Sequence, residues 1–303
     1  MRTRRIVLTL AALALALFSC TLPGATPPTP FVFPTPNQTL TAIFAPTAAT
    51  TPAPPPTSEG LPTVAVTPVE TTSALPTATS VGLSRPNGTP IEAAFLADAP
   101  VIDGDLGDWS TSAYGLTQIV YGASHWSGLA DASGVVYVGW DETHMYLAAR
   151  VTDDKFVQVS KGASLYLGDG LEIQLDTNLA GDFYVARADG DDYQIGLSAG
   201  NFGSISPQAY VWYPSSKSGV PAGVTVAGKS SSSGYTLEAS IPWSVFGVTP
   251  LEGSRFGFAV SVSDNDAAGT AAQQSMVSSV STRTLLNPTT WGMLVLEGPS
   301  GSS

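Results

Sequence analysis

The stretch DGLEIQLDT, from Asp169 to Thr177, alternates apolar and polar residues without a break. Successive side chains of an extended chain point to opposite faces. Leu171, Ile173 and Leu175 therefore share one face, and Glu172, Gln174 and Asp176 share the other. Such alternation predicts a half-buried β-strand. The same rhythm returns in VVYVGWD, MYLAARVTD, YQIGLSA, YTLEASIP, FGFAVSVSD and GMLVLEG, with turn clusters such as TNLAGD, DGDD and DNDAAG between the runs. About ten short strands punctuated in this way predict an all-β fold, an antiparallel β-sandwich of the jelly-roll type. The one helical signal is short, from Trp243 to Phe246 behind Pro242. No strand series recurs at a fixed spacing, which argues against a propeller or solenoid.

The rhythm occupies residues 91–299. Upstream, residues 21–90 are dominated by Pro, Thr and Ala, as in TTPAPPPTSEGLPTVAVTP. Proline restricts its own backbone and that of the residue before it, so this segment is expected to be an extended, disordered tether. Residues 1–20 have the pattern of a signal peptide. Arg2, Arg4 and Arg5 precede an apolar run, Ile6–Phe18, that is too short to span a bilayer stably. The single cysteine of the chain, Cys20, falls at the end of that run, and Leu17-Phe18-Ser19-Cys20 resembles the lipobox of bacterial lipoproteins. The resemblance implies that Cys20 is lipidated and that the protein sits at the cell surface, meeting the membrane through its lipid alone. An ordinary leader with a chance cysteine would leave it secreted.

Composition narrows the function. One cysteine excludes a disulfide framework within the chain and a cysteine-rich zinc site. A net charge of -12, with no basic run beyond the first five positions, argues against nucleic acid as a partner. His125 and His144 are the only histidines, and no G-x-S-x-G elbow is present, so both are expected to be structural. A glycosidase needs two facing carboxylates. Here the acidic residues gather in Asp-Gly turns, where Asp is favoured for backbone reasons, and a non-catalytic role is expected. Two of those turns, Asp103-Gly104-Asp105 and Asp264-Asn265-Asp266, set hard oxygen ligands at a spacing that suits Ca²⁺. Plain turns share the same spacing. Of the six tryptophans, Trp140 and Trp243 are expected in the core, while the alternation around Trp212 exposes either Trp212 or Tyr210 and Tyr213.

The order of the motifs is informative as well. Ile102-Asp103-Gly104 with Trp109 opens the domain, and Val138-Gly139-Trp140-Asp141 leads into Met145-Tyr146-Leu147. Gly168 to Asp176, Tyr235 to Trp243, Phe256 to Asp266 and Trp291-Gly292 follow. This series resembles the family 9 carbohydrate-binding modules, within the wider DOMON-like sandwiches, over Ile91 to Gly298. The resemblance implies a β-sandwich with bound calcium, and an oligo- or polysaccharide ligand held against aromatic side chains. It maps an aromatic onto Tyr166 and a sugar-contacting glutamate onto Glu172. The strand Gln274 to Ser279 carries no second aromatic, and Gln194, Ile195 or Gly196 stands where the family has an arginine. Tyr166 is then expected to be the one stacking plane.

Together these readings place a sugar groove on the polar face of the strand containing Glu172 and Gln174. Gln194 and the small outward residues of the neighbouring strand, Ser261 among them, complete its floor. Tyr166 supplies the rim, and Asp103, Asp105, Asp264 and Asp266 are the calcium candidates. The role implied is carbohydrate capture in polysaccharide catabolism. A solvated strand face is the plain alternative for Glu172 and Gln174. A surface interaction domain without a small ligand is another for the whole chain, as is a DOMON-type haem module. For the haem reading, His144 and Met145 are adjacent on a strand and point to opposite faces, so both cannot ligate one iron.

Overall fold

The computed structural model describes residues 82–299. The signal sequence, Cys20 and most of the expected tether lie outside the described residues. Thirteen strands build the described part of the fold. They are β1 (Ile91–Phe95), β2 (Ala113–Leu116), β3 (Gln118–Tyr121), β4 (Ala132–Trp140), β5 (His144–Asp153), β6 (Gly170–Asp176) and β7 (Asp192–Ser198). β8 (Gln208–Tyr213), β9 (Thr225–Ser231), β10 (Gly234–Pro242), β11 (Arg255–Asp264), β12 (Ser275–Ser278) and β13 (Gly292–Leu296) follow. Two single-turn helices, α1 (Leu179–Asp182) and α2 (Trp243–Phe246), interrupt them. α2 falls where the Pro242 signal puts it and ends at Gly247, whose φ of 70° is the left-handed cap that glycine adopts without strain.

The strand order is β8-β7-β6-β11-β13-β1-β4-β5-β10-β9. β1 turns the corner between the layers of the sandwich. Ile91 to Ala93 pair with β13, then Ala94 and Phe95 pair with β4, parallel in both cases. The other named ladders are antiparallel. The core forms where the inward residues of the layers meet. Leu171, Ile173 and Leu175 of β6 and Phe258, Val260 and Val262 of β11 join Val136 and Val138 of β4, Leu147 of β5, and Leu237 and Ile241 of β10. Each such side chain contributes about 1.5–3 kcal/mol by leaving water.

Two features differ from the sequence expectation. β6 is buried along its whole length, on both faces. Its second face is covered because β12 pairs with β11 and with β3, and because the segment ahead of β13 brings Arg283 over it. The polar row is therefore an interior one. Residues 82–90 also depart from the tether assignment. Arg85 is 3% exposed and its guanidinium lies 2.8 Å from Asp176. Asn87 Nδ2 donates to the carbonyls of Thr289 (2.7 Å) and Trp291 (2.9 Å). This strap lies on β11 where Gly257 leaves no room for a Cβ beneath Arg85. Proline content marks where a chain cannot build a sheet. It does not mark where one arginine finds a buried carboxylate.

Candidate functional site

Ladder register sets the site. Glu172 of β6 lies opposite Gly196 of β7 and Ser261 of β11, and Gln174 lies opposite Gln194 and Ala259. Directly paired residues share a face, so Glu172 stands between two small neighbours and Gln194 stands beside it. A groove of about 520 Å³ opens over this row. Glu172, Gln194 and Gln273 line its polar side together with Arg283. Tyr166, Trp212, Tyr121 and Met276 form apolar walls.

Glu172 is 3% exposed yet richly partnered. Its Oε2 accepts from Arg283 Nη2 at 3.0 Å, Gln194 Nε2 at 3.0 Å and Gln174 Nε2 at 3.4 Å. Its Oε1 takes only a long bond, 3.4 Å, from Gln273 Nε2. Gln273 in turn donates to Ser263 Oγ at 3.0 Å. Arg283 Nε donates to Gln174 Oε1 at 3.3 Å. Burial pushes the Arg283 guanidinium below its ordinary pKa, and the charge of Glu172 opposes that shift. The carboxylate and the guanidinium neutralise each other. What they offer a ligand is a fixed array of donors and acceptors, with spare acceptor capacity on Glu172 Oε1.

The aromatic wall holds more than Tyr166. Trp212 meets it edge to face, with ring centroids 5.9 Å apart and planes at 79°. The indole also lies against Gly196, where a Cβ would collide with it, and its Nε1 donates to the Ala163 carbonyl at 2.8 Å. A register shift at Gln194/Ile195 lets Tyr210, Trp212 and Tyr213 all remain half-buried while Val211 enters the core. The two rings thus make a corner, without a slot between parallel planes. Tyr121, on β3, is 53% exposed and comes in from the β12 side.

Of the sequence candidates, Tyr166, Glu172 and Gln194 line the groove. Gln174 sits in the layer beneath, fully buried, where it holds Arg283 and Glu172. Ser261 is a correction. It is fully buried and donates to Ser278 Oγ at 3.0 Å, so its small outward face is filled by β12 and is closed to a ligand. Arg283 and Trp212 were not among the candidates. Arg283 lies outside any alternating run, and its partner is 111 residues away. For Trp212 the alternation left the choice between it and its neighbours open, and only the register shift of β8 lays its indole over Gly196, whose ladder partner is Tyr210.

The carboxylate candidates separate. Asp103 and Asp105 stand in an exposed turn, each 3.6 Å from Lys229 Nζ. The backbone N–H groups of Asp103 and Gly104 donate to Glu238 Oε2. That turn is occupied by its own partners, and its acidic residues are not near Asp264. Asp264 and Asp266 instead gather with Asp131, and Asp266 also with Asp153 and Asp154, with oxygens in each group within 4.8 Å of one another. Asp169 beside them gives Oδ2 to the Val157 N–H and Oδ1 to the Asn265 N–H. Buried oxygens of Asp153, Asp264 and Asp266 have no hydrogen-bond partner. Burial, with the neighbouring negative charges adding to it, pushes Asp153 up to about 7 and Asp264 up to about 6. Orphaned hard oxygens at such spacing fit a Ca²⁺ ion.

Residues 102–299 match the family described as carbohydrate family 9 binding domain-like. Two solved structures of a carbohydrate binding module family 9 from Caldicellulosiruptor kristjanssonii share the fold, one in complex with cellotriose and one with glucose. Each is 21% identical to this chain, has a TM-score of 0.54 and covers 71% of it; 97% and 99% of their own lengths are covered. No curated protein matches the chain.

Proposed function

The chain belongs to the carbohydrate family 9 binding domain-like family, and on that premise we propose that the groove over β6 binds an uncharged oligosaccharide without catalysis. The observation that carries this reading is Glu172. A carboxylate held on four sides by Arg283, Gln194, Gln174 and Gln273 is fixed in place before any ligand arrives. A sugar hydroxyl both donates and accepts, so it can give its proton to Glu172 Oε1 and receive one from a neighbouring amide. The C–H face of the ring then packs on the corner made by Tyr166 and Trp212. Because the Glu172–Arg283 pair is neutral as a unit, nothing in the groove selects for a charged sugar.

Cellotriose and glucose, bound by the two similar structures, are the first ligands to titrate, followed by a glycan array. Glu172→Gln is the informative variant. An alanine would leave the Arg283 guanidinium buried without a counter-charge and would confound binding with folding. Loss of a charge-assisted hydrogen bond of about 1.5–3 kcal/mol corresponds to roughly a tenfold or greater fall in affinity by calorimetry. Equal affinities for wild type and Glu172→Gln would show that this face only holds the fold together.

The same reading includes a Ca²⁺ held by Asp131, Asp153, Asp264 and Asp266, which supplies positive charge where buried oxygens of Asp153, Asp264 and Asp266 lack donors. It also includes a lipid on Cys20 that keeps the domain at the cell surface, near polysaccharide being broken down. The motive for the lipid is the lone cysteine at the end of the apolar leader. Cys20→Ser is expected to move the protein from the membrane fraction to the soluble one. Unchanged fractionation would remove the anchor from this account.

A further inference from the structure

Two carboxylates on the polar face of β6 each meet a buried guanidinium. Arg283 covers Glu172 and Arg85 covers Asp176. Neither arginine lies in a strand. Arg283 belongs to the arch 279–291 between β12 and β13. Arg85 belongs to the strap 82–90, upstream of the residues that match the family.

The arch lines the groove through Arg283, Thr284 and Leu285. Its two feet, Val280 and Trp291, form a small apolar cluster with Ala259, apart from the main core. Hydrogen bonds tie its limbs together. Thr282 Oγ1 donates to the Thr290 carbonyl at 2.7 Å, and the Thr284 N–H donates to Thr290 Oγ1 at 2.9 Å. Trp291 Nε1 donates to the Thr284 carbonyl at 3.0 Å.

The strap grips the feet of this arch. Asn87 Nδ2 donates to the carbonyls of Thr289 and Trp291. Gly88, at a φ of 76°, lies so close to Val280 that a Cβ would collide with Cγ1. The Asn87 carbonyl sits against Gly292, where a Cβ would meet it as well. Two hydrogen bonds therefore lead from the strap to the groove: Asn87 to the Trp291 carbonyl, and the Trp291 indole to the Thr284 carbonyl. Thr284 follows Arg283 in the chain, and Arg283 holds Glu172. A site whose polar groups are fixed before the ligand arrives spends less affinity on ordering them. Loosening the arch would release Arg283 from Glu172 and lose that advantage.

We propose that residues 82–88 are a positioning brace for the groove, with Asn87 as its main contact: they hold the arch so that Arg283 stays on Glu172, and an occupied groove in turn tightens the strap. The inference rests on the sugar-binding reading of the groove. Coupling between two binding equilibria is reciprocal, so both directions can be measured.

Asn87→Ala in the full chain removes both bonds to the arch. The buried Trp291 indole N–H reports the arch without any sugar, and the buried Trp243 indole, bonded to the Asp141 carbonyl, is the reference for global opening. Hydrogen exchange at Trp291 is expected to quicken by about fivefold or more beyond any change at Trp243. Affinity for cellotriose, by calorimetry, is expected to fall by about fivefold or more. Ile241→Val, a core change on β10 with a comparable loss of stability, is expected to bind cellotriose like wild type. In wild type, saturating cellotriose is expected to slow exchange of the 82–88 amides. A Trp291 indole no faster than Trp243 in Asn87→Ala would overturn the brace, whether or not cellotriose binds. If wild type binds no cellotriose, the sugar reading fails and the indole alone decides the brace. Where cellotriose binds, equal affinity in Asn87→Ala, an equal fall in Ile241→Val, or strap exchange unmoved by the sugar would each overturn the coupling.

Discussion

Both ends of β6 bury carboxylates, and the two ends are neutralised in different ways. At the Asp176 end a side-chain cation arrives from upstream, Arg85, 2.8 Å from the carboxylate and over the ring of Phe183 at 5.5 Å. At the Gly170 end the help comes from dipoles. Backbone N–H groups hold Asp169, and the Ser275 hydroxyl holds Asp264 at 2.7 Å. Lys155, the cation that acts on Asp266, donates its Nζ to the Asp266 carbonyl. A guanidinium belongs to the chain and is present at any salt or chelator concentration. An ion from solution is not. The Arg85–Asp176 pair should therefore be stable by itself, whereas the Asp264 group should depend on what the solvent supplies.

The largest expected effect breaks the self-sufficient pair. Arg85→Ala leaves Asp176 buried and unpaired, which typically costs 3–5 kcal/mol. Urea unfolding should show a midpoint lowered accordingly. Asp264→Ala in chelated protein should cost far less or even stabilise, because it removes one of several mutually repelling charges. Equal losses at the two positions would mean that the ends are not different in kind.

Next comes the response to pH and Ca²⁺. In the metal-free chain burial holds Asp153 at about 7, Asp264 at about 6 and Asp192 at about 8, against 3.8 for the free side chain. A raised carboxyl pKa means that the folded state binds more protons than the unfolded state. Stability from these groups is then fully present below about pH 4 and is lost as pH rises through the folded values. Between pH 5 and 8 the chelated protein should become progressively easier to unfold. Saturating Ca²⁺ should oppose the part of the trend due to Asp153 and Asp264, adding about 2.7 kcal/mol at a hundredfold excess over Kd. A chelated protein that gains stability over the same interval would contradict the buried, unpartnered carboxylates described above.

The smallest effect is a control on the comparison. Asp103→Asn and Asp105→Asn remove only exposed pairs with Lys229. Such pairs contribute about 0–1 kcal/mol. These variants should melt close to wild type and keep the full response to Ca²⁺ in the same calorimetric scan. A lost response would return the Asp103 turn to the metal site.

Much of this molecule was legible from local pattern. Alternation assigned Leu171, Ile173 and Leu175 to the core, and Pro242 marked the short turn of helix behind β10, because period and punctuation act over a few residues. The same pattern misjudged the other face of β6. It read Glu172, Gln174 and Ser261 as one open floor, when Ser261 is sealed by Ser278 and Gln174 lies under Arg283. Alternation says which residues point away from the core. It does not say what lies on top of them.

The sequence by itself determined an all-β sandwich, the order of its motifs, and a carboxylate on an outward-facing strand position, since each of these depends on neighbours in the chain. Only the tertiary structure decided what that carboxylate meets. Arg283, Gln273 and Trp212 reach the groove through strand pairing and bulges, and Arg85 reaches Asp176 across 91 positions from a segment that composition assigns to the tether. Asp264 joins Asp131, and Asp266 joins Asp153, for the same reason. Charges and rings act over a few ångströms of space, and in a sandwich closed by long-range ladders that distance bears no fixed relation to separation along the chain.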